Sequence, residues 1–362
     1  MCAALAAALA LAAPGAAGAA PSDDLFLRLL KDPGNVELNL EYAARAETEG
    51  HFTRAMAAYE RVLSTDPENE RAKRGIRVIK KSRLVEDKTE FMGFVGGQYS
   101  TNNKHLGDRL DPFDDGSANA ALRMRDQRHA GVTVWRTDVT ANAVWHNRFD
   151  DGDLASLSAE TGPDLLFSDV FIVRPLAGAA VVSQDARYYA SKGTLGMELE
   201  PVDDSVLRDI AVKGSMADFG SRYPGRDAWI ADAGLTLGWR DLADPADRLM
   251  PKPDYRFNGA EQARYRYHQE RLNVSYEMPV VPNLTARVGV AGTLRQYDGA
   301  AAGEPEDRED WTVAPSLILV RSNLFDSGVS LSVHYVFESQ HSNDATYEYD
   351  NHVVGGNLIW KF

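Results

Sequence analysis

The stretch that most constrains this chain is its last seventeen residues, Thr346–Phe362, TYEYDNHVVGGNLIWKF. Val354, Gly356, Leu358, Trp360 and Phe362 alternate with Val353, Gly355, Asn357, Ile359 and Lys361. A period of two puts successive side chains on opposite faces of a strand. One of these faces ends in two aromatics. A soluble sandwich would show the same alternation. A strand that closes a membrane barrel needs an apolar outer face with aromatics at the lipid interface.

The same alternation recurs upstream. In Leu284–Gln296, Leu284, Ala286, Val288, Val290 and Leu294 oppose Thr285, Arg287, Thr293 and Arg295. In Gly328–Glu338, Val329, Leu331, Val333, Tyr335 and Phe337 oppose Ser330, Ser332, His334 and Glu338. These segments are longer than the usual soluble strand of about 5–6 residues. Short connections (Pro201–Asp204, Met278–Pro282) alternate with long acidic ones (Asn102–Asp126, Gly299–Asp310), and Tyr and Trp gather at strand ends. That is the pattern of a membrane barrel. Fourteen strands are expected between residues 88 and 362, the second near 127–137, the third near 139–149 and the ninth near 247–257. Pro251 and Pro253 make the ninth a poorly paired strand. An even count places residue 88 and Phe362 at one rim.

Composition fits. The chain has 362 residues, 53 acidic against 39 basic, and a net charge of −14. No basic footprint exists for nucleic acid. The single cysteine, Cys2, lies in an Ala/Leu-rich leader, so neither a disulfide nor a thiolate metal site is expected beyond it. Residues 1–20 read as a signal peptide, with Ala17-Gly18-Ala19 as the small-x-small cleavage pattern. A mean hydropathy of −0.35 suits a barrel whose alternate residues face water.

Residues 22–87 have a different character, rich in Ala, Leu, Glu and Arg at helical spacing. LKDPGNVELN and LSTDPENERA repeat each other, with Asp32-Pro33 and Asp66-Pro67 separated by 34 positions. Thirty-four is the tetratricopeptide period. Its positions fall on Tyr42, Ala43, Gly50, Phe52, Ala55, Tyr59, Leu63 and Pro67. Small residues let two antiparallel helices approach, aromatics fill the groove between them, Gly50 turns the chain and Pro67 ends the second helix. One repeat buries little surface, so this module is expected to lean on the barrel mouth or to dock a periplasmic partner.

Enzymatic signatures are sparse. There is no phosphate loop, no His-Glu-x-x-His helix and no Gly-x-Ser-x-Gly elbow. His334 with Ser330 and Ser332 shares a strand face, which permits a rim-active hydrolase, but the alternation reads first as polar lumen lining. Asp114-Asp115-Gly116 and Asp150-Asp151-Gly152-Asp153 resemble fragments of calcium loops without completing one. Arg271, Arg287 and Arg295, beside Glu270 and Glu277, are candidate lumen charges that either line a pore or strut it. No catalytic, metal or cofactor residues are assigned.

Short pieces carry a family resemblance: Tyr99-Ser100-Thr101-Asn102-Asn103, Asp307-Arg308-Glu309-Asp310, Tyr335 through Asn343, Tyr347-Glu348-Tyr349-Asp350-Asn351, and the close Trp360-Lys361-Phe362. With the helical repeat they make the chain similar to the surface lipoprotein assembly modifier family, and more distantly to exopolysaccharide export porins. A terminal Phe also resembles the ending of bacterial outer-membrane barrels, a resemblance that implies Trp360 and Phe362 are the signal the barrel-assembly machinery handles. The helical part is shorter than that family usually carries. The resemblance implies tetratricopeptide repeats followed by a barrel of about fourteen strands, working in passage or display of a macromolecule at the cell surface.

The expectation is therefore an α+β chain: signal peptide 1–20, tetratricopeptide helical module 22–87 and transmembrane antiparallel β-barrel 88–362. It would sit in outer-membrane lipid and lipopolysaccharide with its helices in the periplasm. Its expected work is non-enzymatic export or display of a polypeptide such as a surface lipoprotein. Polysaccharide export, a rim-active hydrolase and a passive pore are the alternatives.

Overall fold

The computed structural model describes residues 21–82, 87–105, 112–130, 133–167, 170–203, 205–300, 306–324 and 328–362. The expected signal peptide lies outside them. The chain forms two compact units that divide between Ile76 and Arg77.

Four helices open the chain: α1 (Pro21–Lys31), α2 (Val36–Thr48), α3 (Phe52–Thr65) and α4 (Glu70–Ser82). The 34-residue spacing is realised as two matching helix starts. Asn35 Oδ1 accepts from Leu38 N at 3.0 Å, and Asn69 Oδ1 from Ala72 N at 3.1 Å. Each asparagine also donates to the aspartate three residues before it, Asp32 or Asp66, at 3.0 Å. Both are side-chain N-caps that satisfy otherwise orphaned amides. Ala43 and Ala55 are fully buried where α2 meets α3, with Tyr42, Tyr59 and Val62 filling the space around them. Gly50 adopts φ +78°, the left-handed turn that glycine alone enters freely. Tyr59 donates to Glu47 at 2.6 Å, tying the two helices together. Phe52 opens α3, and Pro67 follows its end.

The barrel consists of β1 (Lys88–Ser100), β2 (Asp115–Ala130), β3 (Thr133–His146), β4 (Leu154–Phe167) and β5 (Phe171–Gln184). It continues through β6 (Arg187–Pro201), β7 (Leu207–Phe219), β8 (Ala228–Leu237), the two-residue β9 (Trp239–Arg240) and β10 (Arg248–Ala260). The last strands are β11 (Tyr267–Val281), β12 (Leu284–Ala300), β13 (Asp307–Leu324), β14 (Val329–Ser342) and β15 (Tyr349–Lys361). Every strand pairs antiparallel with its sequence neighbours, and β1 pairs with β15, closing the ring. Because β8 and β9 are two pieces of one strand on the same side of β10, the ring has fourteen strands. Closure removes sheet edges altogether.

The second and third strands differ from expectation. They run over 115–130 and 133–146, so β2 ends at Ala130 and β3 begins at Thr133, both inside the single strand expected over 127–137. The reason is β2's outer face, where Gly116, Ala118 and Ala120 give little apolar contrast with the inner face. The expected long connection Asn102–Asp126 contracts accordingly to residues 101–114. Pro251 and Pro253 lie in a fully formed strand on the β11 side, opposite Val274 and Leu272. On the other side, pairing with β8 stops at Asp254 and resumes with β9 only at Leu249. A proline has no N–H to give the ladder, so the break coincides with the two prolines.

Both ends of the barrel chain lie at one rim, here the terminal rim, with connections such as 282–283. The opposite, far rim carries the longer segments 101–114, 147–153, 220–227 and 261–266.

Candidate functional site

Register decides which residues face out. The row Trp311, Leu294, Glu270, Tyr255 and Ala233 runs directly across five strands, as does Leu317, Val288 and Tyr276 across three. Val95, Leu195, Val212, Leu272, Leu317 and Leu358 make an exposed apolar band. Trp145, Trp229, Trp311 and Tyr99 flank it at the far rim, and Trp135, Phe167 and Phe362 at the terminal rim. An antiparallel barrel with an apolar waist and two aromatic girdles is a transmembrane barrel. Between β7 and β13 the outer face is hollowed into an apolar depression of about 810 Å³, lined by Ile210, Leu235, Tyr255, Leu272, Leu294 and Trp311 around the small Ala233 and Gly292. Glu270 lies on this outer face, which corrects its expected place in the lumen.

The expected assembly end is built into the seam. Phe362 exchanges backbone hydrogen bonds with Phe91, 3.0 Å from its N and 2.7 Å to its O, and the two rings stack at 5.5 Å. Trp360 lies across Gly93, where any Cβ would collide with the indole.

The lumen is polar and charged. Of the expected lumen charges, Arg287 and Glu277 face each other across β11 and β12 and pair at 2.5 Å. Arg295 donates to Gln269 at 2.8 Å and lies over the Tyr267 ring at 5.0 Å. Arg271 stands opposite Asp254 and Thr293 on the same face. The first two are struts between strands rather than free pore charges.

A larger assembly escaped sequence reasoning. On β2 to β7, Arg123, Arg125, Arg136, Arg174 and Lys213 interlock with Asp138, Glu160, Asp164 and Glu198. Asp138 binds Arg123 at 2.7 Å and Arg125 at 3.0 Å. Asp164 binds Arg136 at 2.9 Å and Arg174 at 2.5 Å. Arg174 continues to Glu198 at 2.6 Å, and Glu198 to Lys213 at 3.4 Å, which ends on Glu160 at 2.9 Å. The signal was the charge on alternate positions of each strand, hidden by the shifted register of β2. A cavity of about 520 Å³ opens beside it, lined by Arg125, Arg136, Arg174, Arg240, Glu200 and Asp209. Opposite charges at this density hold ordered solvent and resist apolar solutes.

The quoted resemblance motifs, except the closing Trp360-Lys361-Phe362 at the terminal rim, converge at the far rim. Asn351 is buried, and its Oδ1 accepts from Ser100 Oγ at 2.9 Å and Asn102 N at 2.9 Å, latching β15 to β1. Ser342 donates to Asp310 at 2.8 Å, Asn343 Oδ1 accepts from Glu309 N at 2.9 Å, and Tyr349 donates to Glu338 at 2.9 Å. The acidic clusters are loop braces. Asp115 accepts from the amides of Arg148 and Phe149, and Asp114 pairs with Arg148 at 2.9 Å. The Tyr99 hydroxyl, then Arg148, holds the Asp114 carboxyl below its ordinary range. Among the described residues no cluster has the makings of a metal site. His334, on the inner face with Ser330 and Ser332, stands opposite Gly355 and Ile318.

No family model matches this chain, and no curated protein does. Solved structures similar to it include OccK5 (OpdH) of Pseudomonas aeruginosa, 10% identical, covering 77% of this chain and 99% of that one, TM-score 0.39. Another is OmpT, an outer membrane protein of Vibrio cholerae, 8% identical, covering 77% and 100%, TM-score 0.41. A third is an outer membrane channel from Pseudomonas putida F1, 12% identical, covering 78% and 97%, TM-score 0.40. Scores this low leave the assignment to the barrel's own two faces.

Proposed function

We propose that this chain is a non-enzymatic outer-membrane barrel whose helices work in the periplasm, assisting export or surface display of a macromolecule, a surface lipoprotein or similar polypeptide. The observation that carries the reading is the pairing of an exposed apolar waist with a charged lumen in a closed ring. Such a ring is stable only in lipid, and of bacterial membranes the outer one holds barrels. The barrel begins, after the helices, at the terminal rim, and this supports a periplasmic position for them. Their matching caps and small-residue seam support a tetratricopeptide-type hairpin, a scaffold whose grooves bind extended peptides. The convergence of the resemblance motifs other than the closing one at the far rim supports the display reading. Lipopolysaccharide and the barrel-assembly machinery are its expected partners.

The test is deletion of residues 21–82 with the leader retained. The barrel is expected to stay heat-modifiable on a gel, while candidate surface lipoproteins fail to reach the cell surface. Undiminished display by the deleted form would refute the role of the helices. A purified chain that stays monodisperse without detergent would refute the membrane assignment. A second reading, export of a polysaccharide, is favoured by the aromatic lining of the far mouth.

A further inference from the structure

Inside the far mouth is a cavity of about 530 Å³, the size range of small-ligand sites. Its lining includes Tyr189, Tyr265, Tyr267, Tyr297, Tyr347 and Phe219, with Arg226, Arg256, Arg264 and Arg308 among them, and no acidic side chain. Two departures from regular pairing build it. Between Val182↔Ala190 and Ser183↔Tyr188 one residue of β6 is left over, and that residue is Tyr189. A bulge turns an extra side chain out of its normal alternation. Between Gln296↔Glu309 and Ala300↔Asp307 the β12–β13 ladder slips, and Tyr297 and Arg308 lie in that slip.

The arginines are held flat against the aromatics. The Arg308 guanidinium lies between the rings of Tyr297, at 3.7 Å, and Tyr347, at 3.9 Å. Arg226 lies over Tyr223 at 5.2 Å and Tyr265 at 4.9 Å, and Arg264 over Tyr265 at 4.8 Å. Arg256 is taken by Asp232 at 2.6 Å, and Arg308 has Asp310 at 3.3 Å. Arg226 donates only to the Tyr189 hydroxyl, at 3.2 Å, and Arg264 to Gln262 Oε1, at 2.9 Å. Neither is paired with a carboxylate among the described residues. Stacking fixes a guanidinium while leaving its edge donors open, the arrangement that receives a planar carboxylate through two parallel hydrogen bonds. Tyrosine faces and hydroxyls beside it suit a ring that is apolar on its flat sides and hydroxylated on its edge.

We propose that this pocket binds an acidic saccharide, a sugar chain bearing carboxylates, with Arg226 and Arg264 receiving the carboxylate and Tyr265, Tyr267 and Tyr189 the sugar faces. The site rests on the barrel and its lumen and is independent of the polypeptide cargo. Its failure is therefore distinguishable from failure of the display reading.

The test is calorimetric titration of the detergent-purified full chain with trigalacturonate, with neutral maltotriose and with benzoate. Trigalacturonate is expected to bind, and maltotriose to bind at least about tenfold more weakly for want of the charge-assisted hydrogen bonds. Replacing both Arg226→Gln and Arg264→Gln, which lie in connections outside the ladder, is expected to weaken trigalacturonate by about the same factor. Tyr265→Ala is expected to weaken trigalacturonate and maltotriose alike. Absence of trigalacturonate binding, equal binding of maltotriose, or an unaffected double variant that keeps its heat-modifiable mobility overturns the proposal. Displacement of trigalacturonate by benzoate at equal concentration assigns the pocket to small aromatic acids and overturns it too.

Discussion

Arg174 joins more of the lumen wall than any neighbour in its network, because its guanidinium reaches Asp164 and Glu198 from a side chain only 9% exposed. Asp164 is itself 4% exposed, so its charge depends on the arginines around it. Arg174→Met is expected to cost about 3 kcal/mol of stability, the low end for breaking a buried pair because Arg136 remains. Urea-driven unfolding in detergent micelles measures it. Asp247 acts differently, outside the strands. Its carboxylate accepts from the amides of Leu242, Ala243 and Asp244 at 2.7 to 3.1 Å and from the Tyr276 hydroxyl at 2.5 Å. The tyrosine bond, then the three amides, lowers its pKa from 3.8 to about 2. Because the folded value is depressed, the stabilisation is complete above the unfolded value near pH 4 and is lost as the pH falls toward 2. Melting temperature followed from pH 5 to pH 2 should drop more steeply in the native protein than in Asp247→Ala. Parallel curves would mean the carboxylate contributes nothing to the turn.

At the scale of elements, legibility followed side-chain contrast. β12, β14 and β15 place Val, Leu and aromatics on one face against Ser, Thr, Arg and Asn on the other, so register could be read directly. β2 sets Ala and Gly against Asn, Ser and Ala near its start, and neither its limits nor the start of β3 could be read. The helical pair was legible because a short-range repeat carries its own caps. The Arg/Tyr mouth was not, since its residues come from seven strands and three connections and meet only through slips in pairing that no single segment announces. Nor was the purpose of Gly93: a strand glycine looks like a weakness until Trp360 is seen lying across it, where the large ring shields backbone that the missing side chain leaves bare.

For the whole molecule, closure means that almost every backbone donor in the ring is met by a neighbour on both sides. The widest exception is the interval between Leu249 and Asp254, where the prolines withdraw from β8 and Gly238 separates β8 from β9; shorter gaps fall at Pro163 and Pro175 between β4 and β5 and at Pro315 between β13 and β14. In hydrogen–deuterium exchange, Leu235 to Leu237 are expected to lose protection before the matching turn of β12 or β14. Uniform protection around the ring would contradict this. The consequence is mechanical. A hoop with identical staves shares a load evenly, whereas a hoop with slack joints has preferred places to spring. Tension on the wall, from a swelling solute or a bilayer of mismatched thickness, will concentrate first at the widest of these joints.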